Sequence, residues 1–197
     1  MLAVTAGAAN LTRAMRSLEA LFLVGIEGVT EIWLVRHADA YDDLDDATDP
    51  PLSARGRMQA ERLAERIKRA RPSAVYASPF RRAKETAAFM SDDVHVDHRL
   101  VEMALTLGED GTFNMDEAPD VAAARMRAMI DDIVAAHTGE RVIAVTHGAA
   151  IIACLTDVMQ LEPGQLRFLP YYTSVSTVRV LGDRRMVGAL GDTAHLE

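Results

Sequence analysis

Apolar and polar positions alternate along this chain in blocks that predict strands and helices in turn. The clearest block is EIWLVRHADA, residues 31–40, in which an unbroken apolar run ends abruptly at Arg36 and His37. Such a run is typical of a strand that is buried on both faces of a parallel sheet. A second apolar run, residues 141–146, ends at His147. Each of these two predicted strands therefore delivers a histidine at its carboxyl end.

The remaining pattern continues the alternation. Further strands are predicted at residues 74–77, 94–97, 174–181 and 185–190, the last two joined in a hairpin by the turn signal Gly182-Asp183. Helices are predicted from an N-cap at Ser53 to about Arg69, and across residues 81–90, 118–137 and 149–159, with Pro79 in the first turn of the second helix. Residues 98–117 show no helical period and are expected to form an irregular excursion near the site. This order predicts one α/β domain.

The first 30 residues precede this alternation. Leu11, Met15, Leu18 and Phe22 recur at spacings of four, three and four, which places them on one face of an amphipathic helix. The apolar stretch within residues 18–24 is too short to span a bilayer, and no cleavage signal of a secretory peptide follows it. We predict that residues 1–30 form a helical extension packed on the domain or on a partner chain, and that residues 31–197 form a single domain. Disorder is the alternative for the extension, and export is less favoured still.

Composition narrows the classes of partner. With 197 residues, 49% of them hydrophobic and 25% charged, the chain can bury the core of one soluble globular domain. The net charge of −8 argues against nucleic-acid binding, which requires a basic face. The single cysteine, Cys154, excludes an internal disulfide and a cysteine-based zinc site. We predict a cytoplasmic protein with neither a nucleic-acid nor a membrane partner, and a homodimer remains open.

A third segment gives the two histidines a chemical context. SPFRRAKETA, residues 78–87, places Arg81 and Arg82 in the first turn of a predicted helix that follows a strand. The N–H groups at a helix N-terminus bind anions, and guanidinium groups bind phosphate oxygens in pairs. If the two histidine-bearing strands are neighbours, His37 and His147 meet at one edge of the sheet. The conjunction predicts a phosphate pocket built from two arginines and two histidines.

Five motifs follow one another along the chain in a fixed order, and a sixth stands at residues 192–196. They are Leu34-Val35-Arg36-His37-Ala38, then Pro51-Leu52-Ser53 with Gly56-Arg57 and Gln59-Ala60, then Ser78-Pro79 with Arg82-Ala83 and Thr86-Ala87, then Arg99-Leu100 with Glu102, then Val145-Thr146-His147-Gly148, and finally Asp192-Thr193-Ala194-His195-Leu196. This ordered set resembles the histidine phosphatase superfamily, the phosphoglycerate-mutase-like family. The resemblance spans residues 31 to 196. It implies a three-layer α/β/α fold with a mostly parallel central sheet and a C-terminal hairpin.

The resemblance also implies a role for each matched residue. His37 would be the nucleophile that attacks phosphorus and forms a phosphohistidine. Arg36, Arg82 and His147 would bind the phosphoryl oxygens and stabilise the charge that develops on them. Glu102 would be the general acid for the departing alkoxide and then the general base for water. Covalent catalysis of this kind splits one difficult displacement into two easier ones, and neither a metal nor another cofactor is implied.

Two positions depart from the usual pattern of the family. Residue 38 is alanine, whereas Arg-His-Gly is the commonest form of the first motif. The residues around Glu102 lack the family's frequent Gly-x-Trp/Phe-x-Gly context, and Glu109 and Asp110 are other carboxylates in the same excursion. The aspartates of residues 39–49 are most simply a solvated loop. Alternatively, they lie over the pocket mouth and repel polyanionic substrates such as bisphosphates.

Several functions are compatible with this set of residues. The chain lacks the Trp-Asn and Phe-x-Gly-Trp residues that follow Arg-His-Gly in cofactor-dependent phosphoglycerate mutases. We therefore predict a metal-independent phosphomonoester hydrolase whose substrate is a small phosphorylated metabolite or a phosphoprotein. A protein phosphohistidine phosphatase is an alternative, favoured by the compact size and by the Arg-His-Ala variant. A phosphotransferase of the phosphoglycerate-mutase type and a non-catalytic phospho-ligand binder are the others.

Overall fold

The sheet and the helices follow the predicted alternation closely. A computed structural model describes residues 2–40 and 49–197. The strands are β1 (Thr30–Arg36), β2 (Ala74–Ala77), β3 (Val94–Val96), β4 (Leu105–Leu107), β5 (Phe113–Met115), β6 (Arg141–Thr146), β7 (Val175–Leu181) and β8 (Arg184–Asp192). The helices are α1 (Leu2–Leu21), α2 (Ala54–Ala70), α3 (Arg81–Ala88), α4 (Pro119–Ala136) and α5 (Gly148–Val158), with single 3₁₀ turns at His98–Leu100 and Ala194–Leu196. Asp42, Asp43, Asp45 and Asp46 of the predicted acidic loop lie outside the described residues.

The central sheet has the strand order β3-β2-β6-β1-β7-β8. Its first four strands run parallel, whereas β7 is antiparallel to β1 and β8 is antiparallel to β7. The prediction of a mostly parallel sheet with a C-terminal hairpin is confirmed. Because β1 and β6 are parallel neighbours, with Arg36 opposite Thr146, the residues that follow these strands emerge side by side. That register brings His37 and His147 to one edge of the sheet.

Helices cover both faces of the sheet, as the resemblance implied. Along β1, Ile32 and Leu34 are fully buried in one hydrophobic cluster with side chains of α4 and α5. Val35 belongs to a second cluster on the opposite face, which it shares with side chains of α2 and α3. Each fully buried aliphatic side chain of this kind contributes about 1.5–3 kcal/mol of burial free energy. The three-layer arrangement therefore holds the ends of β1 and β6 on a rigid core.

The first turn of α2 packs tightly against the chain that leaves β1. The Ser53 hydroxyl accepts a hydrogen bond from the Gly56 N–H at 2.8 Å, which confirms the predicted N-cap. The Ser53 N–H in turn donates to the Asp39 carbonyl at 3.0 Å. A Cβ atom on Gly56 would lie 1.9 Å from that same carbonyl oxygen. Only glycine fits at position 56, because the backbone after His37 passes directly against the helix.

Two local predictions are wrong. α3 begins at Arg81 after an N-cap at Phe80, so Pro79 precedes the helix instead of lying in its first turn. Residues 98–117 are not wholly irregular, because β4 and β5 pair in an antiparallel hairpin. Each of these strands has only three residues, and the side chains of β4 are exposed. Strands so short and so exposed leave no buried-to-exposed alternation in the sequence.

The apolar face of α1 does not pack on the domain, which corrects part of the prediction for this helix. Its four predicted contact residues are between 47% and 66% exposed: Leu11, Met15, Leu18 and Phe22. Contact with the domain lies at the C-terminal end of the helix, where Arg184 donates to the carbonyls of Ala20 and Leu21 and Leu23 is buried. Packing on a partner chain stays a prediction. Within the described ranges, no helix combines the length and the apolar character needed to cross a bilayer.

Candidate active site

Two buried histidines lie side by side at the carboxyl edge of the sheet. The His37 N–H donates to the Thr146 carbonyl at 2.9 Å, which extends the β1–β6 ladder by one residue. The ring centroids of His37 and His147 are 5.1 Å apart, and both side chains are almost completely buried. The meeting of these two residues follows directly from the parallel pairing of their strands.

The tautomer of His37 follows from its hydrogen bonds. Nδ1 lies 2.8 Å from the Ala38 carbonyl oxygen, which can only accept, so the ring proton is on Nδ1. Nε2 then carries a lone pair, toward which the Arg82 Nε–H points at 3.3 Å. Burial lowers the pKa of His37 to about 3, and the Arg82 and Arg36 cations lower it as well. The hydrogen bond to the Ala38 carbonyl raises this pKa but does not outweigh them. The ring is therefore neutral at physiological pH, with Nε2 in the form of a nucleophile.

Ala38 fits the site, although the family resemblance implied glycine at this position. Its N–H donates to the Thr86 hydroxyl at 3.0 Å, and that hydroxyl donates to the Arg82 carbonyl at 2.7 Å. Its methyl group is buried in a small cluster with Leu52 and Ala60. The methyl group of Ala38 thus packs on Leu52 and on Ala60 of α2. Its carbonyl and its N–H hold the His37 ring and Thr86 of α3, respectively.

Arg82 lies beside the nucleophile and is nearly buried. Its Nη1 atom is 3.3 Å from Asp49 Oδ1, and its guanidinium carbon lies 4.7 Å from the centroid of the Phe80 ring. Asp49 also accepts two hydrogen bonds, at 2.7 and 2.9 Å, from the Arg81 N–H. This carboxylate occupies the N-terminus of α3, which the sequence had suggested as a phosphate site. Arg81 itself points away and pairs with Glu85 at 2.7 Å, as expected for a solvent-facing residue.

The Arg36 guanidinium is fixed from several sides. Nη1 donates to the Pro170 carbonyl at 2.7 Å, and the guanidinium carbon lies 4.1 Å from the centroid of the Tyr172 ring. A Cβ atom on Gly148 would lie 3.6 Å from Nε, so the start of α5 packs against the guanidinium. Among the described residues, Nε is one of four buried side-chain nitrogen or oxygen atoms without a hydrogen-bond partner.

His147 is the N-cap residue of α5 and contributes a second unpartnered nitrogen. Its Nε2 atom lies 2.8 Å from the Ser78 hydroxyl, and its Nδ1 atom is buried without a hydrogen-bond partner. Burial lowers the pKa of His147 well below its usual value, and the neighbouring His37 and Arg82 act in the same direction. When the Ser78 hydroxyl donates to Nε2, the proton of the neutral ring is on Nδ1. Buried donors without acceptors are costly, and an anion bound beside His37 would supply acceptors.

Glu102 is held at the start of the same helix. Its Oε1 atom accepts from the Ala150 N–H at 3.0 Å, and its Oε2 atom accepts from the Ala149 N–H at 3.3 Å. The carboxyl group therefore lies at the positive end of α5, where Ala149 is two residues after His147. Glu102 is half-buried there. Glu109 and Asp110, the alternative carboxylates, are exposed in the turn between β4 and β5. The structure brings Glu102, and neither of these two, to the sheet edge.

Asp49 belongs to the acidic segment that the sequence places either in solvent or at the pocket mouth, whereas four residues of this site had no role in the sequence prediction: Ser78, Phe80, Thr86 and Tyr172. The Phe80 ring lies 5.1 Å from the His147 ring and the Tyr172 ring lies 5.8 Å from the His37 ring, measured between centroids. Ser78 could have been found, because it directly follows β2 at the same sheet edge. Tyr172 carries no such signal, because it lies in an irregular segment between α5 and β7.

Comparison with known proteins shows the family to which the chain is related. A family model described as the histidine phosphatase superfamily (branch 1) matches residues 32–120 and 106–193. A metal-independent phosphoserine phosphatase from Arabidopsis thaliana is 28% identical over 203 residues, which covers 85% of this chain and 84% of that protein. A probable phosphoglycerate mutase, GpmB from Enterobacter sp. (strain 638), is 24% identical over 204 residues, covering 85% and 95%.

Solved structures share the fold. A crystal structure of a phosphoserine phosphatase mutant (H9A) from Entamoeba histolytica in complex with phosphoserine superposes with a TM-score of 0.72. The match covers 85% of this chain and 100% of that chain at 19% sequence identity. At that identity the superposition shows the architecture, and the chemistry of the site has to be argued from the residues themselves.

Proposed function

The chain belongs to the histidine phosphatase superfamily (branch 1) and is an enzyme of the phosphatase type, and we propose that it is a metal-independent phosphomonoester hydrolase that forms a phosphohistidine on His37. The observation that carries the proposal is the state of His37: a buried neutral ring whose Nδ1 proton is held by the Ala38 carbonyl and whose Nε2 lone pair is beside Arg82. A nucleophile in this state needs no proton removed before it attacks.

In the first step, Arg36, Arg82 and His147 bind the phosphoryl oxygens, and Arg82 exchanges its contact with Nε2 for a contact with phosphate. The Nε2 lone pair attacks phosphorus, the bond from phosphorus to the ester oxygen breaks, and Glu102 gives its proton to the departing alkoxide. The ring then carries a positive charge, which the hydrogen bond from Nδ1 to the Ala38 carbonyl stabilises. Positioning and electrostatic stabilisation of this kind account for most catalysis of phosphoryl transfer.

In the second step, the phosphohistidine is hydrolysed. Water loses a proton to the Glu102 carboxylate and attacks phosphorus, and the bond from phosphorus to Nε2 breaks. Inorganic phosphate leaves, His37 returns to its neutral form, and Glu102 is protonated again for the next cycle. The hydrogen bonds of Glu102 to the first turn of α5, the helix that His147 caps, support both proton transfers because the acid then lies near a proposed phosphate ligand.

A small phosphorylated metabolite is the proposed substrate class. The Arabidopsis relative is named for phosphoserine, and the Entamoeba structure contains phosphoserine. Buried His37 and His147, each with an aromatic ring beside it, suit a small phosphomonoester better than a folded phosphoprotein. A phosphoglycerate-mutase activity is the second candidate, favoured by the similarity to the probable mutase from Enterobacter.

Hydrolysis of p-nitrophenyl phosphate from pH 5 to 8 in EDTA tests the proposal. The parent enzyme should be active, and His37→Ala should lose about 10³-fold or more of that activity because the nucleophile is gone. His95→Ala changes an exposed histidine on β3 and serves as the matched control. Activity that EDTA abolishes, or that survives His37→Ala, would contradict the mechanism. Transfer of phosphate between the positions of phosphoglycerate at a rate comparable to hydrolysis would favour the mutase.

A further inference from the structure

A short segment between α5 and β7 determines where the Arg36 guanidinium lies. We name residues 170–173 the strap. The Pro170 carbonyl accepts from Arg36 Nη1 at 2.7 Å, the Tyr172 ring lies against the guanidinium carbon at 4.1 Å, and the Thr173 N–H donates to the Arg36 carbonyl at 3.0 Å. Any change in the backbone of the strap would therefore move Arg36 within the site.

The strap depends on a backbone conformation that its own residue disfavours. Thr173 has φ of +59°, in the left-handed region, and is fully buried. A β-branched side chain is a rare outlier there, and a residue held in such a region costs about 1–3 kcal/mol. Such a conformation persists only where the surrounding structure fixes it. The contacts of the Thr173 side chain therefore matter for Arg36.

Those contacts lead to the C-terminal 3₁₀ turn. The Thr173 hydroxyl donates to the Tyr172 carbonyl at 2.7 Å and lies 3.0 Å from His195 Nε2. Because the hydroxyl proton is used by the carbonyl, His195 must donate from Nε2, and its Nδ1 lone pair then accepts from Arg66 Nη1 at 3.4 Å. Arg66 is itself held by Asp192 at 2.6 Å.

The direction of this chain of hydrogen bonds requires a neutral His195. Burial lowers the pKa of His195 to about 4, and Arg66 acts in the same direction while Asp192 opposes it. His195 thus has the same protonation state over the working range of the assay, with one donor for Thr173 and one acceptor for Arg66. The imidazole therefore joins the 3₁₀ turn to the strap by donating a hydrogen bond from Nε2 to Thr173 and accepting one at Nδ1 from Arg66.

We propose that His195 is a positioning residue: by holding Thr173 in the left-handed conformation it fixes the strap and, through Tyr172 and Pro170, the Arg36 guanidinium. The inference rests on the proposed function insofar as Arg36 binds phosphate. His195 touches neither the substrate nor His37 in this arrangement. Its removal should therefore weaken phosphate binding through Arg36 while the attacking atom itself is unchanged.

The first test compares His195→Ala with His195→Gln. His195→Ala should lower kcat/KM for p-nitrophenyl phosphate about 10- to 100-fold and raise the inhibition constant of inorganic phosphate, because a displacement of about 1 Å costs that much. The glutamine amide can donate to Thr173 and accept from Arg66, so His195→Gln should stay within about threefold of the parent. His137→Ala, which removes a half-buried histidine bonded to Tyr76 at the other end of the sheet, is the control and should change neither constant.

A double-mutant cycle separates positioning from a merely structural role. Glycine adopts a positive φ without penalty, so Thr173→Gly should make the strap independent of His195. In that background, His195→Ala should cost less than about threefold in kcat/KM. Two results would overturn the inference: folded His195→Ala with the phosphate affinity and kcat/KM of the parent, or an equal loss of kcat/KM with and without Thr173→Gly.

Arg36→Ala in the same assays distinguishes failure of this inference from failure of the proposed function. If Arg36→Ala loses phosphate affinity while His195→Ala keeps it, positioning by His195 is wrong and the proposed role of Arg36 stands. If Arg36→Ala binds inorganic phosphate as tightly as the parent, the proposed role of Arg36 is wrong, and so is the inference that depends on it.

Discussion

Arg82 Nε lies 3.3 Å from His37 Nε2, so a permanently charged guanidinium donates to the nitrogen lone pair that we propose as the nucleophile. This contact can exist only while His37 is neutral, because an imidazolium would repel the cation. Arg82 thus protects the attacking atom from protonation in the resting enzyme. In the proposed mechanism, Arg82 bonds the phosphate oxygens and thereby releases the lone pair.

The neutral histidines predict a dependence of stability on pH. The folded-state pKa values of His37 and His195 are about 3 and about 4, both below the ordinary value of 6.5 that applies to the unfolded chain. Between pH 6.5 and 4 the unfolded chain therefore binds more protons than the folded one. The free energy of unfolding should be at its full value above pH 6.5 and should fall as the pH decreases toward 4. Urea unfolding at pH 7, 6, 5 and 4 measures this slope, and His195→Gln should make it shallower. An unchanged slope in that variant would contradict the assignment.

The position of Glu102 predicts an effect that depends on the leaving group. Glu102→Gln keeps one side-chain oxygen, which can accept from the Ala150 N–H but not from the Ala149 N–H as well, and it cannot donate a catalytic proton. For an alkyl phosphate such as phosphoserine, kcat should fall about 10²- to 10⁴-fold. p-Nitrophenolate leaves without a proton, so its ester should lose much less, and the affinity for inorganic phosphate should change little. The exposed Glu109→Gln is the control, and equal losses for both esters would show that Glu102 is not the acid.

The carboxylate of Asp49 predicts a gain in affinity when its charge is removed. Asp49→Asn keeps an oxygen that can accept from the Arg81 N–H while it releases Arg82 from an ion pair. Because the pair is only partly buried, the change should lower KM for phosphomonoesters by about two- to fivefold. The largest effect is expected on substrates with a second anionic group. Asp93→Asn, an exposed site outside the candidate site, is the control. A KM equal to that of the parent would mean that Asp49 serves α3 alone.

The close packing at Gly56 predicts that an alanine there lowers the free energy of unfolding, although Gly56 carries no catalytic group. In Gly56→Ala the new methyl would lie 1.9 Å from the Asp39 carbonyl oxygen, so either α2 or the chain after His37 must move. We expect the free energy of unfolding to fall by about 1–3 kcal/mol, the usual range for overpacking. Arg57→Ala, at the next and exposed position, should change it by less than about 0.5 kcal/mol. Urea unfolding of both variants decides, and a Gly56→Ala variant as stable as the parent would show that the backbone relaxes freely.

The central strands could be predicted from the sequence because they are buried on both faces. Residues 32–35 of β1 and 142–145 of β6 are all apolar, and a histidine directly follows each strand, so both the strands and their candidate chemistry were visible. The helices were visible through their period and, for α2, through the Ser53 cap. That β1 and β6 are neighbours is a property of the strand order, which local patterns do not contain.

The contacts that the sequence did not reveal are tertiary. The acidic segment was visible, but its Asp49 caps the Arg81 N–H from 32 positions away, and Tyr172 lies far along the chain from Arg36. Neither sits in a periodic segment. The sequence left open whether the apolar face of α1 packs on the domain or on a partner chain, because amphipathic spacing shows that a helix has an apolar face but does not show what covers it.

The acceptor that holds the His37 proton has a lasting consequence for how this enzyme can change. It is the carbonyl oxygen of the next residue, Ala38, and belongs to the peptide backbone instead of to a side chain. No point substitution at another position can delete it. Side chains around the proposed substrate, in contrast, can each be replaced by a single substitution, which would change the rate or the selectivity. As long as residue 37 is histidine, the main chain itself therefore determines which ring nitrogen has the free lone pair of the proposed nucleophile.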